Sequence, residues 1–159
     1  MNLQRSSLSL NHRYARGFTL VELMIVVLLV AVVAAIAVPN FRQLVENNRI
    51  SAGTNSIVST LSYARSEALR QGRRVTVDAR VDGAWAQGLA VSQGTNLLRV
   101  SEPMGNGIAV TGNSLAFRGN GLATGVATFR ICGSGNLPGR EVSVTEGGRV
   151  QTREVSCNE

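Results

Sequence analysis

An unbroken run of 16 apolar residues, Leu23 to Val38, lies near the start of a 159-residue chain. Carried back to Phe18, the stretch has 21 residues, of which only Thr19 and Glu22 are polar. As a helix it is about 31 Å long at roughly 1.5 Å per residue, enough to cross the hydrocarbon core of a bilayer. Residues 1–17 ahead of it are polar and carry Arg5, Arg13 and Arg16 with no acid. A basic flank stays on the cytoplasmic side, which places everything beyond Val38 on the other side. A secretory signal peptide would use Ala34-Ala35-Ile36-Ala37 as its cleavage site. A plain single-pass anchor would need no such site. Neither accounts for Glu22, because a carboxylate at the edge of an apolar span costs on the order of 2–3 kcal/mol and calls for a partner.

The rest of the composition removes most enzyme classes. The single histidine, His12, precedes the apolar run, so no Ser-His-Asp or Cys-His arrangement and no multi-His metal site forms beyond it. Asp78 and Asp82 are the only aspartates, too few oxygen ligands for a calcium loop. No enzyme activity, metal or cofactor is expected. All 16 basic residues are arginines, and the net charge is +6. Without the three leader arginines, 13 Arg face 10 acids, leaving +3, a weak nucleic-acid signal.

Arg16-Gly17-Phe18-Thr19-Leu20-Val21-Glu22-Leu23 resembles the processing site of type IV pilins and type II secretion pseudopilins. The resemblance implies that a prepilin peptidase cuts between Gly17 and Phe18, and that Phe18 is then N-methylated. It also implies that Glu22 pairs with the N-terminal amine of a neighbouring subunit during assembly. An ammonium in the same apolar layer would compensate a carboxylate that is costly alone. Pro39 matches a proline common in these helices; it removes a backbone donor and is expected to kink or loosen the helix. The organisation expected is a leader at 1–17, a long helix at 18–72 with its membrane-spanning part at 18–38, and a β-rich pilin domain at 73–159.

Past Pro39 the helical pattern resumes. Phe41, Leu44 and Val45, then Ile57, Leu61, Ala64 and Ala68, recur at three- or four-residue spacing. Arg70 in the last turn and Gly72 beyond it form a stop signal. Gly53 costs about 1 kcal/mol in a helix interior and reads as background, a hinge or a close-packing site. Leu61-Ser62-Tyr63-Ala64-Arg65-Ser66-Glu67-Ala68 resembles a signature of the GspH/FimT branch of pilin-like proteins, which are minor components. Arg65 and Glu67, two apart, do not face each other on a helix, so each is solvated or paired elsewhere.

After Gly72 the period changes to two. Short apolar runs at 75–77, 89–91, 97–100, 115–117, 126–131, 141–144 and 149–152 read as about seven strands, separated by Gly, Asn, Ser and Asp clusters. The fold class expected is α+β, a type IV pilin fold in which the long N-terminal helix packs on a mostly antiparallel domain of one or two sheets. Trp85 reads as a packed anchor at a strand start. Gly119-Asn120-Gly121 reads as a turn, since no Lys and no helix follow it. Cys132 and Cys157, the only cysteines, face an oxidising space and read as a disulfide, contributing roughly 3 kcal/mol in a loop-entropy account.

In an extended strand, Arg149, Gln151 and Arg153 would share a face, and with Arg140 they form a candidate contact for double-stranded DNA. Some FimT-like proteins carry Gly-Arg-x-Arg near the C-terminus and bind DNA for transformation. Here Gly148-Arg149-Val150-Gln151 departs from that motif at its second arginine. The resemblance therefore implies first a minor pilin that initiates or caps a type IV pilus. The alternatives are the minor pseudopilin H of a type II secretion system and a DNA-capturing pilin. The partners implied are other minor and major pilin subunits, the prepilin peptidase and an inner-membrane assembly platform. The location implied is the bacterial inner membrane, with the C-terminal domain in the periplasm.

Overall fold

A computed structural model describes residues 17–134 and 137–157. The leader expected at 1–17 thus lies outside the described residues except for Gly17. The chain divides into two units, residues 1–39 and 40–159. The dominant element is helix α1 (Leu20–Gln71), with Pro39 inside its bounds. Its start is set by Thr19, whose Oγ1 accepts the Glu22 N–H at 3.2 Å and whose carbonyl accepts the Leu23 N–H at 3.1 Å. It stops at Gly72, whose φ of +62° is the left-handed turn that favours glycine.

In the first unit every described residue is exposed, including Leu23, Leu28, Val33 and Ile36. In the second unit, Ile50, Gly53, Thr54, Ile57, Leu61, Ala64 and Ala68 form a buried stripe. The stripe begins at Ile50; Phe41 and Leu44, which carry the same spacing, are 66% and 57% exposed. Gly53 is the close-packing site, because a Cβ there would sit 2.9 Å from the Met104 Sδ. Thr54 and Thr60 bury their hydroxyls by donating to carbonyls one turn back, Ile50 and Ser56, at 2.8 Å each.

Eight strands follow: β1 (Val75–Ala79), β2 (Leu89–Gln93), β3 (Asn96–Val100), β4 (Ala109–Thr111), β5 (Leu115–Phe117), β6 (Ala127–Cys132), β7 (Gly139–Val144) and β8 (Val150–Val155). They make two four-stranded sheets, β3-β2-β1-β5 and β4-β6-β7-β8, with every named pair antiparallel. Alternation decides which side chains turn inward. Val75, Val77, Leu89, Val91, Leu115 and Phe117 of the first sheet join Ala127, Phe129, Ile131, Val142 and Val144 of the second around the α1 stripe. Trp85 lies in one turn of 3₁₀ helix (Trp85–Gln87), not at a strand start, and meets Phe129 edge-on at 5.3 Å. It is buried as the anchor expected. Strand β4 has no counterpart in the sequence reading. Its three residues lie between Gly107 and Gly112 and are too short to show a period.

Candidate functional site

The candidate functional residues fall into three groups, beginning at the N-terminus. Gly17 and Phe18 precede the helix, and Phe18 is 76% exposed. Glu22 occupies the first turn, and Thr19 and Glu22 have the spacing of a capping box, a signal legible in the sequence. The Glu22 carboxylate makes no hydrogen bond or ion pair among the described residues. The positive end of the helix dipole favours its charge, but the exposed apolar turns after it offer no counter-ion among the described residues.

The second group is the Leu61–Ala68 signature. Arg65 and Glu67 do point apart, and each has a task. Arg65 donates its Nε to the Gly121 carbonyl at 3.0 Å and its Nη2 to the Gly147 carbonyl at 3.2 Å. One guanidinium on the helix thereby ties the turn after β5 to the β7–β8 hairpin. Gly148 is required beside it: its φ is +75°, and a Cβ would run into the Gly121 carbonyl and the Arg65 guanidinium. Glu67 is buried at 7% exposure and receives a fork from Arg70, Nη2 at 2.5 Å and Nε at 2.9 Å, with Gln71 donating as well. The Arg70 hydrogen bonds, helped by Gln71, hold the Glu67 carboxyl below the usual carboxylate range, and the same pair raises Arg70.

The third group is C-terminal. Cys132 and Cys157 form the expected disulfide, with Cα atoms 5.9 Å apart, joining β6 to the segment after β8. Gly139 lies beneath it, where a Cβ would strike both sulfurs and come within 2.6 Å of the Ile131 carbonyl. The arginines are not brought together as expected. Arg149 precedes β8 rather than belonging to it and lines a cleft beside α1 with Arg65. Arg153 is committed to the buried Glu141, both its Nε (2.7 Å) and its Nη2 (2.6 Å) reaching one carboxylate oxygen. Arg140 pairs with Glu154 at 3.3 Å on the neighbouring register position. Cross-strand register instead sets Arg130, Glu141 and Arg153 in a row. Sequence reasoning missed this because the hairpin creates it: Glu141 and Arg153 become neighbours only when β7 and β8 pair.

Residues 53–148 match the family described as type II transport protein GspH. The chain belongs to the GspH family. Residues 12–38 of this GspH-family chain match the prokaryotic N-terminal methylation motif. A fimbrial protein of Pseudomonas aeruginosa is 34% identical over 64 residues, 40% of this chain. The chain aligns with 41% of that relative's length. The crystal structure of the type IV minor pilin FimU of Pseudomonas aeruginosa superimposes with a TM-score of 0.61 at 27% identity, covering 69% of this chain and 92% of FimU. The minor pseudopilin EpsH of the Vibrio cholerae type 2 secretion system has the same fold, with a TM-score of 0.54 at 16% identity over 70% of this chain and 99% of EpsH. The fold is therefore that of type IV pilins and pseudopilins. Among the described residues, one helix is long and apolar enough to cross a membrane.

Proposed function

We propose that this GspH-family chain is a minor subunit of a type IV pilus that works by assembly rather than by turnover. The observation that carries the reading is the Glu22 carboxylate. It has no partner among the described residues and opens an exposed apolar helix directly after Gly17-Phe18. In this reading the prepilin peptidase removes residues 1–17, and Phe18 is methylated. Residues 18–38 hold the subunit in the inner membrane, with residues 73–159 in the periplasm. Pro39 removes one backbone donor inside the helix and loosens it there. The assembly platform then passes the subunit into a filament, where the Glu22 carboxylate meets the amine of a neighbour. The likeness to FimU supports the pilus over the alternative, the minor pseudopilin H of a type II secretion system.

Expression in the native host tests this directly. The isolated protein should begin at methylated Phe18, and Gly17→Val should leave the leader attached. Glu22→Ala should be processed normally yet be absent from sheared pili. Normal incorporation of Glu22→Ala would sink the assembly role of that carboxylate. Loss of exoprotein secretion with intact pili in a deletion strain would favour the secretion alternative. Capture of double-stranded DNA is the weaker reading, since Arg153 and Arg140 spend their charge on Glu141 and Glu154. It predicts salt-sensitive binding lost in Arg149→Ala, a cleaner probe than Arg153→Ala, which strips the buried Glu141 of its partner.

A further inference from the structure

The four sheet edges are not protected alike. Strands β4 and β5 are three residues each, too short to template another strand. Strand β3 pairs with β2 through a register shift at Val91/Ser92, the kind of irregularity that turns an edge aside. Strand β8 has six residues, contains no proline, and pairs with β7 from Val144↔Val150 to Gly139↔Val155 without a shift. Charged residues commonly guard such an edge. Here both are turned across β7, Arg153 to Glu141 and Glu154 to Arg140.

Register also fixes which backbone groups are open. Thr145 donates its N–H to the Arg149 carbonyl at 3.0 Å, so in an antiparallel ladder Gln151, Arg153 and Val155 direct their amides at β7. Val150, Thr152 and Glu154 then direct theirs outward. At one end of this edge lies a cleft of about 500 Å³ between α1 and the β7–β8 hairpin. Ser62, Arg65, Ser66, Leu69, Arg149 and Val150 line it, and no carboxylate does. The Arg149 side chain has no partner among the described residues.

We infer that β8 is a docking edge for an extended acidic segment of a different protein, which adds as a fifth strand and places a carboxylate against Arg149 and Arg65. The addition supplies main-chain bonds, and the cleft supplies selection by charge. A second copy of the chain fits less well. Among its edge strands, β3 brings Arg99, β4 and β5 bring no charge, and the one acid of β8 is committed to Arg140. Glu146, in the same hairpin, does not line the cleft. The inference rests on the assembly reading only in naming the partner a neighbouring subunit of different sequence.

The test uses the full chain in detergent micelles and a capped heptapeptide of alternating Val and Glu with Thr ends, beside the same peptide with Lys for Glu. The acidic peptide should bind and slow hydrogen exchange at Val150, Thr152 and Glu154. The Lys peptide should bind roughly tenfold more weakly, as should the acidic peptide to Arg149→Ala, the loss expected for one charge-assisted contact. Thr152→Pro removes an outward N–H and leaves the β7 ladder intact, so it should abolish binding without lowering the melting temperature. Equal binding of both peptides, or binding that survives Thr152→Pro, would overturn the inference. So would concentration-dependent self-association lost in Thr152→Pro, which would assign the edge to a second copy. None of these outcomes touches the pilus-incorporation result for Glu22→Ala, so the two readings fail separately.

Discussion

Two stretches of the same helix behave in opposite ways. Between Leu20 and Pro39 nearly every side chain is apolar and every one is exposed. Between Ile50 and Ala68 the apolar residues occupy one stripe and are buried to 0–2% at Ile50, Ile57, Leu61, Ala64 and Ala68. The second stretch is an amphipathic helix whose apolar face is covered by the sheets of its own chain. Among the described residues nothing covers the first, and an apolar surface of that extent in water is costly. In the proposed reading its cover comes from lipid and from other subunits. The stability of this molecule is thus built from residue 50 onward, and in the proposed reading its association from the residues before Pro39.

Core truncations should separate the two stretches most strongly. Phe129→Ala removes the ring that meets Trp85 and sits above Gly112, whose added Cβ would come within 2.9 Å of two ring atoms. It should cost about 3–5 kcal/mol of domain stability. Leu29→Ala, in the exposed stretch, should leave the unfolding midpoint of the β-rich part unchanged. Chemical denaturation of the full chain in detergent, followed by Trp85 fluorescence, reads both. Equal shifts would break the division.

Loss of the Cys132–Cys157 bond comes next. Reduction, or a paired Cys→Ser change, should cost roughly 3 kcal/mol in the loop-entropy account. Gly139→Ala should destabilise even with the sulfurs present, because its Cβ has no room between them and the Ile131 carbonyl. Denaturation with and without reductant checks both. Insensitivity to reductant would show that the C-terminal segment holds without its staple.

Arg65→Ala is smaller, about 2 kcal/mol, since the side chain is only partly buried but gives up two charge-assisted bonds to carbonyls. Its distinguishing sign is local. Hydrogen exchange should quicken around Gly121 and Gly147 before it does in β1 and β2. A uniform increase would mean that Arg65 acts on global stability and not as a tie between two turns.

What the sequence made legible follows one line. Helix α1, its stop at Gly72, seven of the eight strands and the disulfide all rest on local periods, turn residues or simple elimination among few cysteines. The features it hid depend on residues far apart in the chain. Arg65 reaches Gly121 and Gly147, Glu141 is matched to Arg153 by hairpin register, and Gly139 sits under a disulfide formed from both its sides. Strand β4 was hidden for the other reason, since three residues carry no period. The GspH/FimT signature contains both Arg65 and Glu67, and helical geometry already required them to act apart.

Glu67 offers the smallest and most specific effect. Its carboxyl is held below the ordinary range by the Arg70 fork and by Gln71. A lowered folded-state pKa means that protonation is easier in the unfolded chain. The stabilisation from Glu67 is therefore complete above the unfolded carboxylate value of about 4.3 and is lost as pH falls through the lower folded value. Glu67→Gln keeps the shape, removes the charge and leaves Arg70 without its anchor. The variant should be modestly less stable than the parent at pH 7, and the gap should close as the solution is taken below about pH 4. Subtracting the two melting curves across that window isolates this group from the other carboxylates. A gap that stays constant with pH would show that Glu67 stabilises the helix end through packing and not through its charge.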